Sequence, residues 1–223
     1  VDYVESGKPI VGLRTSTHAF DPKKYQTYAR FGWRNKEWQG GFGRQVLGET
    51  WIAHHGGHGS QATGGILAKD AKEHPILRGI SDRDVWDSTD VYTVRLPLLD
   101  GIQTLVHGQV LDGMKFDSPP AEAHMKDDGT KVDKNNPMMP VAWVREWKAP
   151  NDKKSRVFAT TLGASDGFLH AGTRRLLVNA CYWALGLEEK IDPKSSVDIV
   201  GKYAPTPFGF RKHKKGVKPS DLR

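Results

Sequence analysis

The sequence predicts an α/β fold, and three observations carry that prediction. Pro9-Ile10-Val11-Gly12-Leu13 is a short apolar run with the length and β-branching of a strand buried on both faces, as in a parallel sheet. Arg156–Gly163 (R-V-F-A-T-T-L-G) is a second such strand, and the loop 164–171 joins it to the clearest helical pattern in the chain, Thr173–Leu185. Asp90–Leu96, Thr104–Leu111 and Met139–Trp147 alternate apolar and polar residues with period two, so they add an antiparallel or mixed extension to the sheet.

At 223 residues the chain suits one large domain, or one domain with an extension, and can bury a substantial core. Its 37% hydrophobic and 26% charged residues are those of a globular protein. No apolar run approaches the roughly 20 residues of a spanning helix, so no membrane span is expected. One cysteine, Cys181, excludes an intrachain disulfide framework and a cysteine-based zinc knuckle. The formal net charge of +7 is concentrated at the C-terminus: Arg211, Lys212, Lys214, Lys215, Lys218 and Arg223 face Asp221 alone, which leaves the body nearly neutral. A basic tail without interleaved aromatic repeats reads as a solvated segment, and no nucleic-acid partner is expected. Composition fixes neither compartment, cytoplasmic or exported, nor oligomeric state.

Val1–Ser6 reads as the end of a helix or a connecting turn, closed by Gly7. After Leu13 the chain turns polar at once, through Arg14, Thr15, Ser16, Thr17 and His18. Ligands in open α/β sheets sit where strand ends open into such clusters, although Thr15–Thr17 equally suit the capping of a following helix. Asp21–Arg34 mixes Lys and Arg with Tyr25, Tyr28, Phe31 and Trp33 without clear periodicity, and predicts a partly helical excursion over the mouth of the sheet. The run His54–Gly59 (H-H-G-G-H-G) follows, and Ala68–Ile80 predicts a short helix or turn.

Asp112–Pro137, rich in Asp, Lys, Pro and Asn, predicts a mobile loop. In Thr173–Leu185 the apolar residues Leu176, Leu177, Ala180, Cys181, Ala184 and Leu185 share one helical face, which Gly186 ends. Cys181 is therefore expected as a small buried hydrophobe. The prolines, glycines and lysines beyond Asp192 predict an extended basic tail, 191–223, laid over the 1–190 domain by Tyr203, Phe208 and Phe210.

Taken in order, G-L-R-T-S-T-H-A-F (12–20), H-P-I-L-R-G-I (74–80), D-V-Y (90–92), P-V-A-W (140–143), R-V-F-A-T-T-L-G (156–163) and T-R-R-L-L-V-N-A-C-Y-W-A-L-G (173–186) resemble the bacterial ThuA-like, or trehalose-utilisation, family. The resemblance runs from about Gly7 to about Leu187. It implies the fold of the class I glutamine amidotransferase-like superfamily: a flavodoxin-like three-layer sandwich on a mostly parallel sheet, with an antiparallel extension. It also implies a strand and helix upstream of Val1, and a carbohydrate or keto-sugar derivative as the small-molecule partner. The superfamily's nucleophile elbow carries a cysteine, but the corresponding turn here reads Arg14-Thr15-Ser16-Thr17-His18, so thiolate attack on glutamine is not available. By the same resemblance His18 and the pair Asp90/Tyr92 meet at the sheet's mouth.

Two chemistries can use His18, His54, His55, His58, Asp90 and Tyr92. In one, His18 or His58 is a general acid or base on a sugar hydroxyl or a carbon beside a carbonyl, with Asp90 orienting the imidazole. In the other, histidines of the 54–58 run, His55 and His58 foremost, hold with Asp90 a divalent metal such as zinc. Arg14 suits bidentate binding of a carboxylate or polyol, or a buried ion pair. Thr15, Ser16, Thr17 and Ser165 are further candidates for ligand contact. Gly163-Ala164-Ser165-Asp166-Gly167 matches G-x-S-x-G, but Phe168–Gly172 separates it from the helix, whereas a nucleophile elbow turns sharply from strand to helix. A non-catalytic binding domain of a larger secreted or envelope-associated protein is the competing reading.

Overall fold

The computed structural model describes residues 1–20, 26–207, 209 and 215–222. In chain order the elements are α1 (Asp2–Glu5), β1 (Ile10–Leu13), β2 (Ala53–His54), β3 (Thr63–Leu67), β4 (Trp86–Asp87), β5 (Tyr92–Thr93), β6 (Ile102–Val110), β7 (His124–Met125), β8 (Lys131–Val132), β9 (Met139–Lys148), β10 (Lys154–Thr160) and α2 (Ala171–Ala184). Six strands form one sheet in the order β1-β10-β9-β6-β3-β4. Only β1 and β10 run parallel, in the register Ile10↔Val157 to Leu13↔Thr160; the other four pairings are antiparallel.

This overturns the flavodoxin-like sandwich. A doubly wound sheet needs a helical crossover between successive parallel strands. Here the polypeptide passes from β9 to β10 through the tight turn 149–153, closed by Ala149 N–H donating to the Lys153 carbonyl at 2.8 Å. Among the described residues α2 is the one α-helix longer than four residues. The expected antiparallel extension is most of the sheet, and among the described residues the strand-to-helix step β10–α2 is not followed by another parallel strand.

Two apolar clusters cover the sheet. On one face Leu176 and Ala180 of α2 meet Ile76, Leu77, Val106, Phe158 and Leu162. On the other, Val46 and Leu47 meet Trp143, Trp147, Val157 and Ala159. Val157 and Phe158 fall in opposite clusters because neighbouring strand residues point to opposite faces. Trp143 is fully buried and its Nε1–H donates to the Leu47 carbonyl at 2.7 Å, so the largest core side chain leaves no polar atom unsatisfied. β1 lies at the sheet edge with Ile10 against one cluster and Val11 against the other, both partly buried.

Helix α2 is rotated from its expected orientation. Thr173, Leu176, Asn179, Ala180 and Ala184 are buried, whereas Cys181 and Leu185 are exposed. Asn179 causes the rotation: its Nδ2 donates to the carbonyls of Ile76 (2.9 Å) and Arg78 (3.0 Å), so a polar residue occupies the buried stripe at no hydrogen-bonding cost. Segment 112–137, expected as a mobile loop, contains the β7–β8 hairpin, and Asn135 ties it to Val110 of β6 and bonds Ala121 within the segment. The expected strand 90–96 shrinks to β5, paired with β2.

The tail 192–207 has no helix or ladder strand, and Arg174, Arg175 and Tyr203 tie it down by donating to Val197, Ser195 and Ser165 carbonyls. Phe208, Phe210, Arg211, Lys212, Lys214 and Arg223, like Tyr25, lie outside the described residues. Among the described residues no helix is long and apolar enough to cross a membrane.

Candidate functional site

The parallel pair sets the position of the site. Both β1 and β10 end in polar turns, and Arg14 leaves β1 with φ +44°, a left-handed conformation uncommon for a side-chain-bearing residue. That turn carries its guanidinium back over the strand ends. Nη1 donates to the carbonyls of Thr161 (3.0 Å) and Asp90 (3.1 Å), and Nη2 to Asp90 Oδ1 (3.2 Å). The guanidinium also lies 3.9 Å from the Tyr92 ring centroid, as a cation over an aromatic face. Of the two roles open to Arg14 in the sequence, it fills the buried ion pair.

Asp90 is fully buried, and the H-H-G-G-H-G run folds over it. His54 in β2 reaches it across the β2–β5 pairing, with Nδ1 2.7 Å from Oδ2, and His58 lies on the other side with Nδ1 3.0 Å from Oδ1. Gly56 lets the run come this close, since a Cβ there would stand 3.2 Å from Asp90 Cβ. Burial works to raise the Asp90 carboxyl, but hydrogen bonds from His58 and His54 and the charge of Arg14 outweigh it and hold the group below its usual range. A carboxylate only accepts, so both imidazoles present Nδ1–H to Asp90, and in their neutral forms Nε2 is the basic atom.

His18 reaches the same tautomer by another route. Thr17 spends its one hydroxyl proton on the Arg14 carbonyl (3.0 Å) and accepts from His18 Nδ1 (3.2 Å). Burial, then the charges of Arg14 and His54, push His18 down to about 4, so it stays neutral near pH 7. Burial likewise raises the Tyr92 hydroxyl to about 12, against the pull of Arg14 and helped by Asp90 and Asp87. Tyr92 therefore remains protonated and can donate but not act as a base.

These groups line a cavity of about 410 Å³ together with Thr15, Thr89, Gly163, Ala164, Ser165 and Thr206. The structure thus brings together Arg14, Thr15, His18, His54, His58, Tyr92 and Ser165, with Asp90 behind the two histidines. Three expected members lie elsewhere. His55 turns away, its Nε2 2.7 Å from the Lys134 carbonyl, because neighbouring residues of an extended chain point to opposite sides. Ser16 Oγ is buried with no hydrogen-bond partner among the described residues, and Thr17 is buried beneath the turn. The trio whose ligand atoms lie within 4.8 Å of one another is His54, His58 and Asp90, so a metal would find His54 where the sequence suggested His55.

Ser165 does not form a nucleophile elbow. Its backbone is ordinary right-handed helical (φ −59°, ψ −37°), and its Oγ donates to the Thr206 carbonyl at 3.2 Å. Cys181 lies on exposed α2 surface, outside the cavity lining.

Sequence reasoning missed Asp87. It is fully buried in β4; Oδ2 accepts from Gly163 N–H (2.6 Å) and Ala164 N–H (3.1 Å), and Oδ1 from Thr89 N–H (3.0 Å) and Oγ1 (2.6 Å). One carboxylate therefore pins both loops of the far cavity wall. Burial raises its carboxyl above the usual range even though those donors pull the other way. Its signal was the pattern Asp87-Ser88-Thr89-Asp90, in which Asp two residues before Thr closes a local turn. Trp33 and Trp51 were also missed as site residues. Trp51 stands 5.5 Å from the His18 ring, 5.6 Å from His54 and 5.4 Å from Trp33, all centroid to centroid.

Compared with models of known families, with curated proteins and with solved structures, the chain gives no match.

Proposed function

We propose that this chain acts on a carbohydrate or keto-sugar derivative by acid–base proton transfer, as its ThuA-like sequence features suggest, and performs no glutamine amidotransfer. The observation that carries the reading is Asp90: one buried carboxylate, held by Arg14, accepting Nδ1–H from both His54 and His58 at the edge of a cavity. In this reading His54 and His58 are the proton-transferring residues and Asp90 is a positioning residue, which fixes their tautomer and stabilises the imidazolium formed when Nε2 takes a proton. Neutral His18 and protonated Tyr92 supply an acceptor and a donor for substrate oxygens. The test is deuterium wash-in beside the carbonyl of keto-sugars, and hydrolysis of their glycosides, across a substrate panel in D₂O. His54→Ala and His58→Ala should lower the rate by about 10²–10⁴. Binding without exchange or hydrolysis anywhere in the panel would replace the enzyme by a binding module.

A second reading has a specific observation behind it, the close approach of His54, His58 and Asp90. Imidazole and carboxylate are ligands for zinc. Zinc titration distinguishes it: stoichiometric binding lost in His54→Ala and kept in His55→Ala establishes a metal centre, and no binding removes it.

A further inference from the structure

Beyond the Trp33–Trp51 pair lies a second cavity of about 580 Å³, lined by Trp33, Arg34, Lys36, Trp51, Ile52 and Arg95 with neighbouring polar groups. Among the described residues its lining holds three cationic side chains and no carboxylate. Buried Glu49 lies nearby, but it is shared: Oε1 accepts from Arg95 at 2.9 Å while Oε2 pairs with Arg44, so a single negative charge serves two positive ones. Arg34 and Lys36 make no ion pair among the described residues, and Arg34 lies 4.3 Å from the Trp33 ring centroid, which holds its guanidinium near the aromatic wall. The first cavity, by contrast, has its buried guanidinium already matched by Asp90.

No described residue lines both cavities, but ring contacts join their linings. Trp51 lines the second and lies 5.5 and 5.6 Å from the rings of His18 and His54, and Trp33 lies 6.3 Å from His18. An indole face is the surface on which the apolar face of a sugar ring settles, and planar guanidinium beside it recognises an oxyanion through paired N–H donors.

We propose that the second cavity is a subsite for the anionic group of the substrate, so that the preferred ligand is an acidic saccharide carrying a carboxylate, phosphate or sulfate. Trp33 and Trp51 carry the sugar ring between the two cavities. Arg34 and Lys36, with Arg95 behind them, take the oxyanion. The assignment rests on the proposed saccharide chemistry of the first cavity.

The test is isothermal titration of the full chain with glucose, glucuronate, glucose 6-phosphate and glucose 6-sulfate, with the imidazole resonances of His18 and His54 followed by NMR in the same samples. At least one anionic probe should bind about tenfold or more tighter than glucose, as one or two charge-assisted hydrogen bonds require. Which anion gains most identifies the group. The double variant Arg34→Gln/Lys36→Gln, both exposed positions, should erase that gain. Equal affinity for neutral and charged probes, an unaltered gain in the double variant, or no binding of any anionic probe overturns the subsite. The imidazole signals keep the two readings apart: an anion gain without His18 or His54 shifts upholds the subsite and rejects the saccharide reading of the first cavity. Glucose shifting those signals with no anion gain does the reverse.

Discussion

Replacing Asp90 by Asn removes one charge and keeps the shape of the side chain. In the native protein Asp90 is fully buried and its partner Arg14 has a side chain only 13% exposed, so the variant leaves a largely desolvated guanidinium without its counter-charge. Removing one member of a buried pair costs about 3–5 kcal/mol. Arg14 keeps the carbonyls of Thr161 and residue 90 and the Tyr92 face, which softens the loss, whereas the Asn amide N–H₂ is placed against an imidazole Nδ1–H and adds to it. The expected loss is about 2–4 kcal/mol, or about 6–12 °C in Tm for a chain of this length. Urea unfolding followed by tryptophan fluorescence reads it as a lower midpoint with unchanged slope. A midpoint within about 0.5 kcal/mol of wild type would refute the claim that Asp90 is the hub of the site.

Four further outcomes follow from named contacts. Because the folded pKa of His18 is depressed from 6.5 to about 4, the unfolded chain binds the extra proton between those values. Stability should therefore fall as pH drops from 6.5 to 4, by about 1–2 kcal/mol once partial exposure is allowed for, and His18→Gln should flatten that part of the urea-midpoint profile. Asp87→Ala strands the donors of Gly163, Ala164 and Thr89; hydrogen exchange at 163–164 should accelerate, with a loss of about 2–4 kcal/mol. Trp143→Phe leaves the Leu47 carbonyl unpaired in the core and should cost about 1–3 kcal/mol in the same unfolding assay. Cys181→Ser, at an exposed position, should move the midpoint by less than about 0.5 kcal/mol, whereas a buried Cys181 would give a clear loss.

The long strands were legible from length and side-chain type: Met139–Lys148 carries an apolar run that is buried from Pro140 to Val144, and in Ile102–Val110 the buried positions Val106, Gly108 and Val110 recur with period two. The class was not, because the apolar run Ile10–Leu13 reads the same in a doubly wound sheet as in this one, where it is the edge partner of a single parallel pair. Pairing partners are decided by long-range contacts that local periodicity does not encode. Helix α2 was legible in extent and not in orientation, since Asn179 buries itself by bonding two carbonyls that belong to a distant turn. At the site, His18, His54, His58 and Asp90 stood out as residue types, but the choice of His54 over His55 needed the β2–β5 pairing. Asp87 offered the sequence only its local turn with Thr89, because the bonds that tie it to the cavity wall come from backbone N–H groups 76 and 77 residues away.

The central claim is that Asp90 accepts Nδ1–H from both His54 and His58 and so leaves Nε2 as their basic atom. Long-range ¹H–¹⁵N correlation of the imidazole nitrogens of ¹⁵N-labelled protein, recorded at pH 8 with Asp90→Asn as reference, tests it most directly. Protonated Nδ1 and unprotonated Nε2 in both histidines, with the pattern altered in Asp90→Asn, is the predicted result. Nε2–H tautomers in the wild-type protein, or spectra of the two proteins that coincide, would contradict it.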